Sequence, residues 1–137
     1  MRYVLDANVA IKWRLPEPDS PKAISIKADY VNQIHELLAP DVFPIEVAHA
    51  FSRAERKGIL KPPEGIQALT DILQMLPQLH ESLLLLPRAF EISSQARIGV
   101  YDCLYVALAE RESAPLITAD QRLLTLKGFP MLDLATF

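Results

Sequence analysis

Tyr3-Val4-Leu5-Asp6-Ala7-Asn8-Val9-Ala10-Ile11-Lys12-Trp13 is the stretch that decides what kind of domain this chain forms. Tyr3-Val4-Leu5 is a short apolar run without helical period, as suits a strand buried on both faces of a parallel sheet. It ends on an aspartate, and Val9 to Trp13 then predicts a short helical turn. A buried strand passing through an acid into a helix is the first half of a βα unit.

The same alternation continues outward from it. Prolines in Pro16-Glu17-Pro18-Asp19-Ser20-Pro21 bar regular structure, and Ser20 or Pro21 opens a longer helix. There Ile24, Ala28, Val31, Ile34, Leu37 and Leu38 recur at spacings of three and four, predicting one apolar face, with Lys22, Lys27 and Asp29 outward. Ala39-Pro40-Asp41-Val42 predicts a brief strand. Pro44 suits the first position of the next helix and puts Glu46 in its first turn. That helix carries Val47, Ala50, Phe51 and Ala54 as far as Lys57-Gly58, where glycine supplies a left-handed cap.

Further on, the sequence predicts a helix over 64–76, a strand over 80–86, and a helix from Pro87 or Arg88 to about Ile98, stopped by Gly99. A helix from about Tyr101 sets Leu104, Ala107 and Leu108 on one face, with Arg111 near its C-terminal end. A strand over 115–118, a short helix over 120–126 and a strand over 131–134 complete the series. Strands alternating with helices predict one α/β domain over residues 1–137, a three-layer α/β/α fold with a central parallel sheet. In such sheets, sites form beyond the carboxyl ends of the strands.

Composition narrows the functional classes. Half of the 137 residues are apolar, enough for a full core without low-complexity segments. The chain enters its first strand at once, leaving no room for a secretory signal. Its longest apolar run, Leu83 to Leu86, is far short of the roughly 20 residues that span a bilayer. A soluble, cytoplasmic protein with no membrane contact is the expectation. Cys103, the single cysteine, sits among apolar neighbours and is read as packing. His35, His49 and His80 are scattered, with no zinc-binding spacing. A net charge of -3 lacks the basic excess of many nucleic-acid binders.

Four acids stand apart. Asp6, Glu46, Asp102 and Asp120 each fall at a strand's end or in a helix's first turn, so one rim of the sheet could gather all of them. Carboxylates packed together repel, and a divalent cation relieves the conflict. Magnesium or manganese, as one ion or two, suits oxygen ligands and binds phosphate as well, which makes phosphodiester hydrolysis the chemistry that best uses such a cluster. Taken singly, each acid could only be a cap, as Asp41 is read to be. On the crowding argument, Asp6→Asn or Asp120→Asn should leave the metal-free protein as stable as before, or more so.

Local context adds a resemblance. Val4 to Trp13, Pro44-Ile45-Glu46-Val47, Tyr101-Asp102-Cys103-Leu104-Tyr105-Val106-Ala107-Leu108-Ala109 and Leu116-Ile117-Thr118-Ala119-Asp120 together resemble the PIN-domain nucleases. More narrowly they resemble the VapC-type ribonuclease toxins of toxin–antitoxin pairs. The likeness runs in order from Val4 to Leu134, and Cys103 stands where the family often has alanine. It implies a PIN-like fold with Asp6, Glu46, Asp102 and Asp120 as the catalytic and metal-binding quartet. It also implies Asn8 and Thr118 as residues that orient carboxylates or metal-bound water, and magnesium- or manganese-dependent endonucleolytic cleavage of RNA. A cognate antitoxin and a homodimer follow from the same likeness.

Lys12 and Arg14, with Lys22 and Lys27, lie near the first block as possible RNA contacts. Trp13 is either packing or an exposed partner contact. A catalytically silent PIN-fold module that only binds RNA or protein is the alternative, and the intact quartet argues against it. A phosphatase with paired aspartates is disfavoured because Asn8 cannot donate a proton in the second position. A phospho-accepting receiver domain would need an adjacent acidic pair early in the chain.

Overall fold

The computed structural model describes residues 1–137. Five strands form one parallel sheet: β1 (Arg2–Leu5), β2 (Glu36–Pro40), β3 (Gln78–His80), β4 (Leu116–Thr118) and β5 (Met131–Asp133), in spatial order β3-β2-β1-β4-β5. β1 is central, with Val4 paired to Leu38 on one side and to Leu116 on the other. Val4, Leu5, Leu116 and Ile117 have no solvent exposure, each such burial contributing roughly 1.5–3 kcal/mol. The chain winds to one side of β1 for β2 and β3 and to the other for β4 and β5, so the order reverses between β1 and β4. In an open parallel sheet the crevice at the carboxyl ends of the strands opens at such a reversal.

Seven helices pack around the sheet: α1 (Ala7–Ile11), α2 (Ser20–Val31), α3 (Phe43–Arg56), α4 (Glu64–Leu73), α5 (Ser82–Ala96), α6 (Val100–Glu112) and α7 (Gln121–Leu124). Every residue of α6 from Cys103 to Ala109 is buried, not one face alone, because this helix lies between the sheet and α5. Cys103 is fully buried among them. Trp13 is core: it is 5% exposed and its Nε1 donates to the Ala23 carbonyl at 2.8 Å, tying the end of α1 to α2. Gly58 takes φ +74° just past α3, as the left-handed cap requires.

Several expected boundaries move. α2 ends at Val31, and Leu37 and Leu38 belong to β2, so the run of apolar spacings joined two elements. Its buried face is Ser20, Ala23 and Ile26, while Ile24, Ala28 and Val31 are exposed. Of the strand expected at Ala39–Val42 only Ala39 and Pro40 are strand, the end of β2, which begins earlier, at Glu36, while Asp41 and Val42 form a turn. α4 stops at Leu73 and α7 at Leu124.

The largest change is at 80–86, where only His80 is strand and Ser82–Leu86 is the first turn of α5. An unbroken apolar run reads alike as a buried strand or a helix. Asp41 Oδ1 accepts the Ser82 N–H at 3.2 Å, capping α5 from another element. Pro87 is tolerated inside α5 at the loss of the helical bond to the Leu83 carbonyl. No helix is long and apolar enough to cross a membrane.

Candidate active site

β1 delivers Asp6 to the point where the sheet order reverses, and its backbone N–H still donates to the Ile117 carbonyl of β4 at 3.1 Å. Asp6 Oδ1 caps α1 by accepting the Asn8 N–H at 3.2 Å, and Oδ2 accepts the Thr118 hydroxyl at 2.8 Å. Those bonds occupy about two of a carboxylate's four acceptor sites. Capping and site-building are therefore one arrangement here, not alternatives. Asp120 repeats it, capping α7 by accepting the Arg122 N–H at 2.9 Å.

Glu46 and Asp102 enter from the first turns of α3 and α6, where the helix dipole favours negative charge. All four acids line one open pocket of about 620 Å³, together with Asn8, Ile45, His49 and Tyr101. Asn8 Oδ1 accepts the Ala119 N–H at 3.4 Å, joining the loop after β4 to α1. Thr118, fully buried, also accepts the Asp120 N–H at 3.0 Å.

The electrostatics are uneven. Burial drives the Asp6 carboxyl up to about 7 against the pull of its Thr118 and Asn8 hydrogen bonds, with Asp102 and Glu46 adding to the rise. Burial also raises Glu46, opposed by its Tyr105 bond and assisted by Asp102, and it raises Asp102, to which Asp120 adds. Asp120 goes the other way: burial pushes it up, but the hydrogen bonds and charge of Arg122 outweigh that and hold it low.

This donor set, all carboxylate oxygen and buried enough to keep three of its four acids above their ordinary range, matches a hard divalent cation. No three acid, histidine or cysteine side chains stand in finished ligand geometry. Arg122 Nη2 lies 3.3 Å from Asp102 Oδ2 and 3.1 Å from Asp120 Oδ2.

Two residues at the quartet escaped the sequence reading. Tyr105 donates its hydroxyl to Glu46 Oε1 at 2.6 Å from within the core, and its one signal is the one-turn spacing from Asp102. Arg122 follows Asp120 by two positions and reads there as an ordinary surface cation. His49, one turn after Glu46, reaches the pocket for the same reason of helical spacing.

Lys12 and Arg14 do not line the pocket. Lys12 Nζ is 3.3 Å from Glu17 Oε1, and Arg14 pairs with Asp71 of α4. Lys22 bonds the Ala135 carbonyl.

A parallel sheet in this order with acids converging at its reversal point is the architecture of the PIN domain. The model of that family matches residues 3–128, and the chain belongs to it. It is 31% identical to ribonuclease VapC3 of Pyrobaculum aerophilum over 90% of this chain and 92% of that one. It is 34% identical to ribonuclease VapC1 of Mycobacterium tuberculosis over 67% of this chain and 68% of that one. Among solved structures, PAE2754 of P. aerophilum superposes with a TM-score of 0.73 at 21% identity, over 99% of this chain and 94% of that one. VapBC2 of Rickettsia felis, bound to a DNA fragment from its promoter, gives 0.67 at 17% identity over 97% and 98%.

Proposed function

We propose that this chain is a metal-dependent endoribonuclease, the toxin of a toxin–antitoxin pair. Asp6, Glu46, Asp102 and Asp120 are its catalytic carboxylates, and magnesium or manganese, as one ion or two, is its cofactor. The observation that carries the reading is four acids from four separate elements lining one open pocket at the sheet's reversal point. Ribonuclease names among the relatives support RNA as the substrate.

Asp6, Glu46, Asp102 and Asp120 would hold a divalent ion, which would supply charge neutralisation at the scissile phosphate and lower the pKa of the attacking water. The chain's own part is to aim the oxygens. Thr118 fixes Asp6, and Tyr105 fixes Glu46. Asn8 keeps the loop after β4 in register with α1. Ile45 and Tyr101 are 70% and 62% exposed at the pocket, where an unpaired base can stack on the tyrosine ring.

A second groove shares Asn8, Ile11 and His49 with the acidic pocket and runs along α3 to Arg53 and Lys57. Both cations are exposed and make no ion pair, whereas Lys12 and Arg14 are already paired. Arg53 and Lys57 are therefore the better RNA-backbone contacts. An antitoxin partner is supported by the VapC names and the VapBC2 likeness. A homodimer is supported by the exposed stripe Leu83, Leu86 and Phe90, at i, i+3 and i+7 on α5.

The test is cleavage of single-stranded RNA by the purified protein with magnesium or manganese, its arrest by chelator, and its loss in Asp6→Asn and Asp102→Asn. Cleavage that persists in both variants overturns the assignment. Light scattering of the protein alone and of a co-expressed pair reads the assembly.

A further inference from the structure

We propose that Arg122 is the site's resident counter-ion, a guanidinium that bridges Asp102 and Asp120 and must be displaced before a divalent cation can use their oxygens. The inference rests on the nuclease reading and adds to it a determinant of metal uptake.

The geometry is specific. One nitrogen, Nη2, lies within 3.3 Å of Asp102 Oδ2 and 3.1 Å of Asp120 Oδ2, while Nε reaches Asp120 Oδ1 at 3.4 Å. Asp102 belongs to α6 and Asp120 precedes α7, so the guanidinium ties two elements that share no other charge pair. Asp6 and Glu46, on the inner side of the cluster, are held by the neutral hydroxyls of Thr118 and Tyr105 instead. The quartet thus divides into an inner pair steadied without charge and an outer pair steadied by a cation.

The bridge is also removable. The Arg122 side chain is 69% exposed, and its polar contacts are to these two acids alone, so swinging outward costs it no core packing. The residue's backbone stays fixed, because its N–H donates independently to Asp120 Oδ1, the cap of α7. A guanidinium carries only donors, so it cannot share a site with a second cation, and competition for the same oxygens follows. Solvent screening keeps such exposed pairs weak, which sets the competition at roughly three- to tenfold in metal affinity. Lysine, a point charge without the fork, should compete less well.

The experiment is calorimetric titration of the chelator-stripped protein with manganese chloride, alongside thermal melts in chelator and in manganese. Arg122→Gln is expected to bind manganese roughly three- to tenfold more tightly, and Arg122→Lys to fall between it and wild type. In chelator Arg122→Gln melts lower than wild type, because Asp102 and Asp120 then face each other unbridged, and its manganese-induced rise is larger. Equal or weaker manganese binding by Arg122→Gln overturns the inference while leaving the nuclease reading intact. So does a loss of melting temperature that is the same with and without metal, since that marks a purely structural anchor. If wild type and both variants all fail to take up manganese, the metal-centre reading falls and this one with it.

Discussion

The Thr118 hydroxyl donates to Asp6 Oδ2 at 2.8 Å, joining the acid after β1 to the last residue of β4 at full burial. The Thr118 hydroxyl oxygen also accepts the Asp120 N–H, so one side chain sets the positions of two acids. Thr118→Val keeps the shape but leaves Asp6 Oδ2 and the Asp120 N–H unpaired. It is expected to cost about 1–3 kcal/mol in urea unfolding and to slow RNA cleavage about 10- to 100-fold, with Thr118→Ser restoring most of both. Wild-type cleavage by the valine variant would deny the hydroxyl any part in the chemistry.

Asp6 makes the metal-free fold sensitive to pH. Its folded-state value, about 7, lies above the ordinary 3.8. Below about pH 4 the carboxyl is protonated folded or unfolded, and nothing is lost. As pH rises toward 7 the unfolded chain ionises first, so stability declines, by at most about 4 kcal/mol, and then levels off. Glu46 and Asp102 push in the same direction. Denaturant titrations in chelator from pH 4 to 8 should show this fall in wild type and a shallower one in Asp6→Asn.

Asp120 has the opposite sign, which divides an expectation that crowding alone had made common to both aspartates. Held low by Arg122, it stabilises the fold above its unfolded value and loses that contribution as pH falls. In chelator at pH 8, Asp6→Asn should melt higher than wild type and Asp120→Asn lower. Melting curves of the three proteins decide it, and a rise in both variants would mean that Arg122 does not compensate Asp120.

Tyr105→Phe removes one oxygen and with it the 2.6 Å bond to Glu46. The ring remains in the core, so the far-ultraviolet dichroism should be unchanged. Glu46 then rises further in pKa and turns more freely, and single-turnover cleavage is expected to slow about 10- to 100-fold. Unchanged rates would remove Glu46 orientation from the mechanism.

Arg53→Ala combined with Lys57→Ala tests the groove along α3. If both cations meet phosphates of a single strand, the slope of log affinity against log salt flattens by about 1.4. Arg14→Ala should leave that slope alone and change stability by no more than about 1 kcal/mol, as for an exposed pair. Fluorescence anisotropy of a labelled RNA with Asp6→Asn protein, which is expected to bind without cutting, measures the slopes.

Much of this protein was legible in local pattern. Tyr3-Val4-Leu5 and Leu116-Ile117-Thr118 read as buried strands because parallel strands covered on both faces need continuous apolar runs. Pro44, Glu46 and Gly58 marked the ends of α3 through backbone chemistry that acts within a few residues. Where local signals were ambiguous, tertiary packing decided. Ser82–Leu86 begins α5, with Leu85 turned into the core and the Ser82 N–H accepted by Asp41, far away in sequence, and Leu37 and Leu38 are strand, paired beside β1.

The acids show the same division. That Asp6, Glu46, Asp102 and Asp120 sit at element ends followed from the chain alone. Which acid is protonated and which is paired did not, because those depend on burial and on neighbours from other elements. Thr118 reaches Asp6 across 112 positions and Tyr105 reaches Glu46 across 59. Arg122, two residues from Asp120, reaches back 20 positions to Asp102. Hydrogen bonds and desolvation act over a few ångströms in space, and only the folded sheet brings those residues within that range.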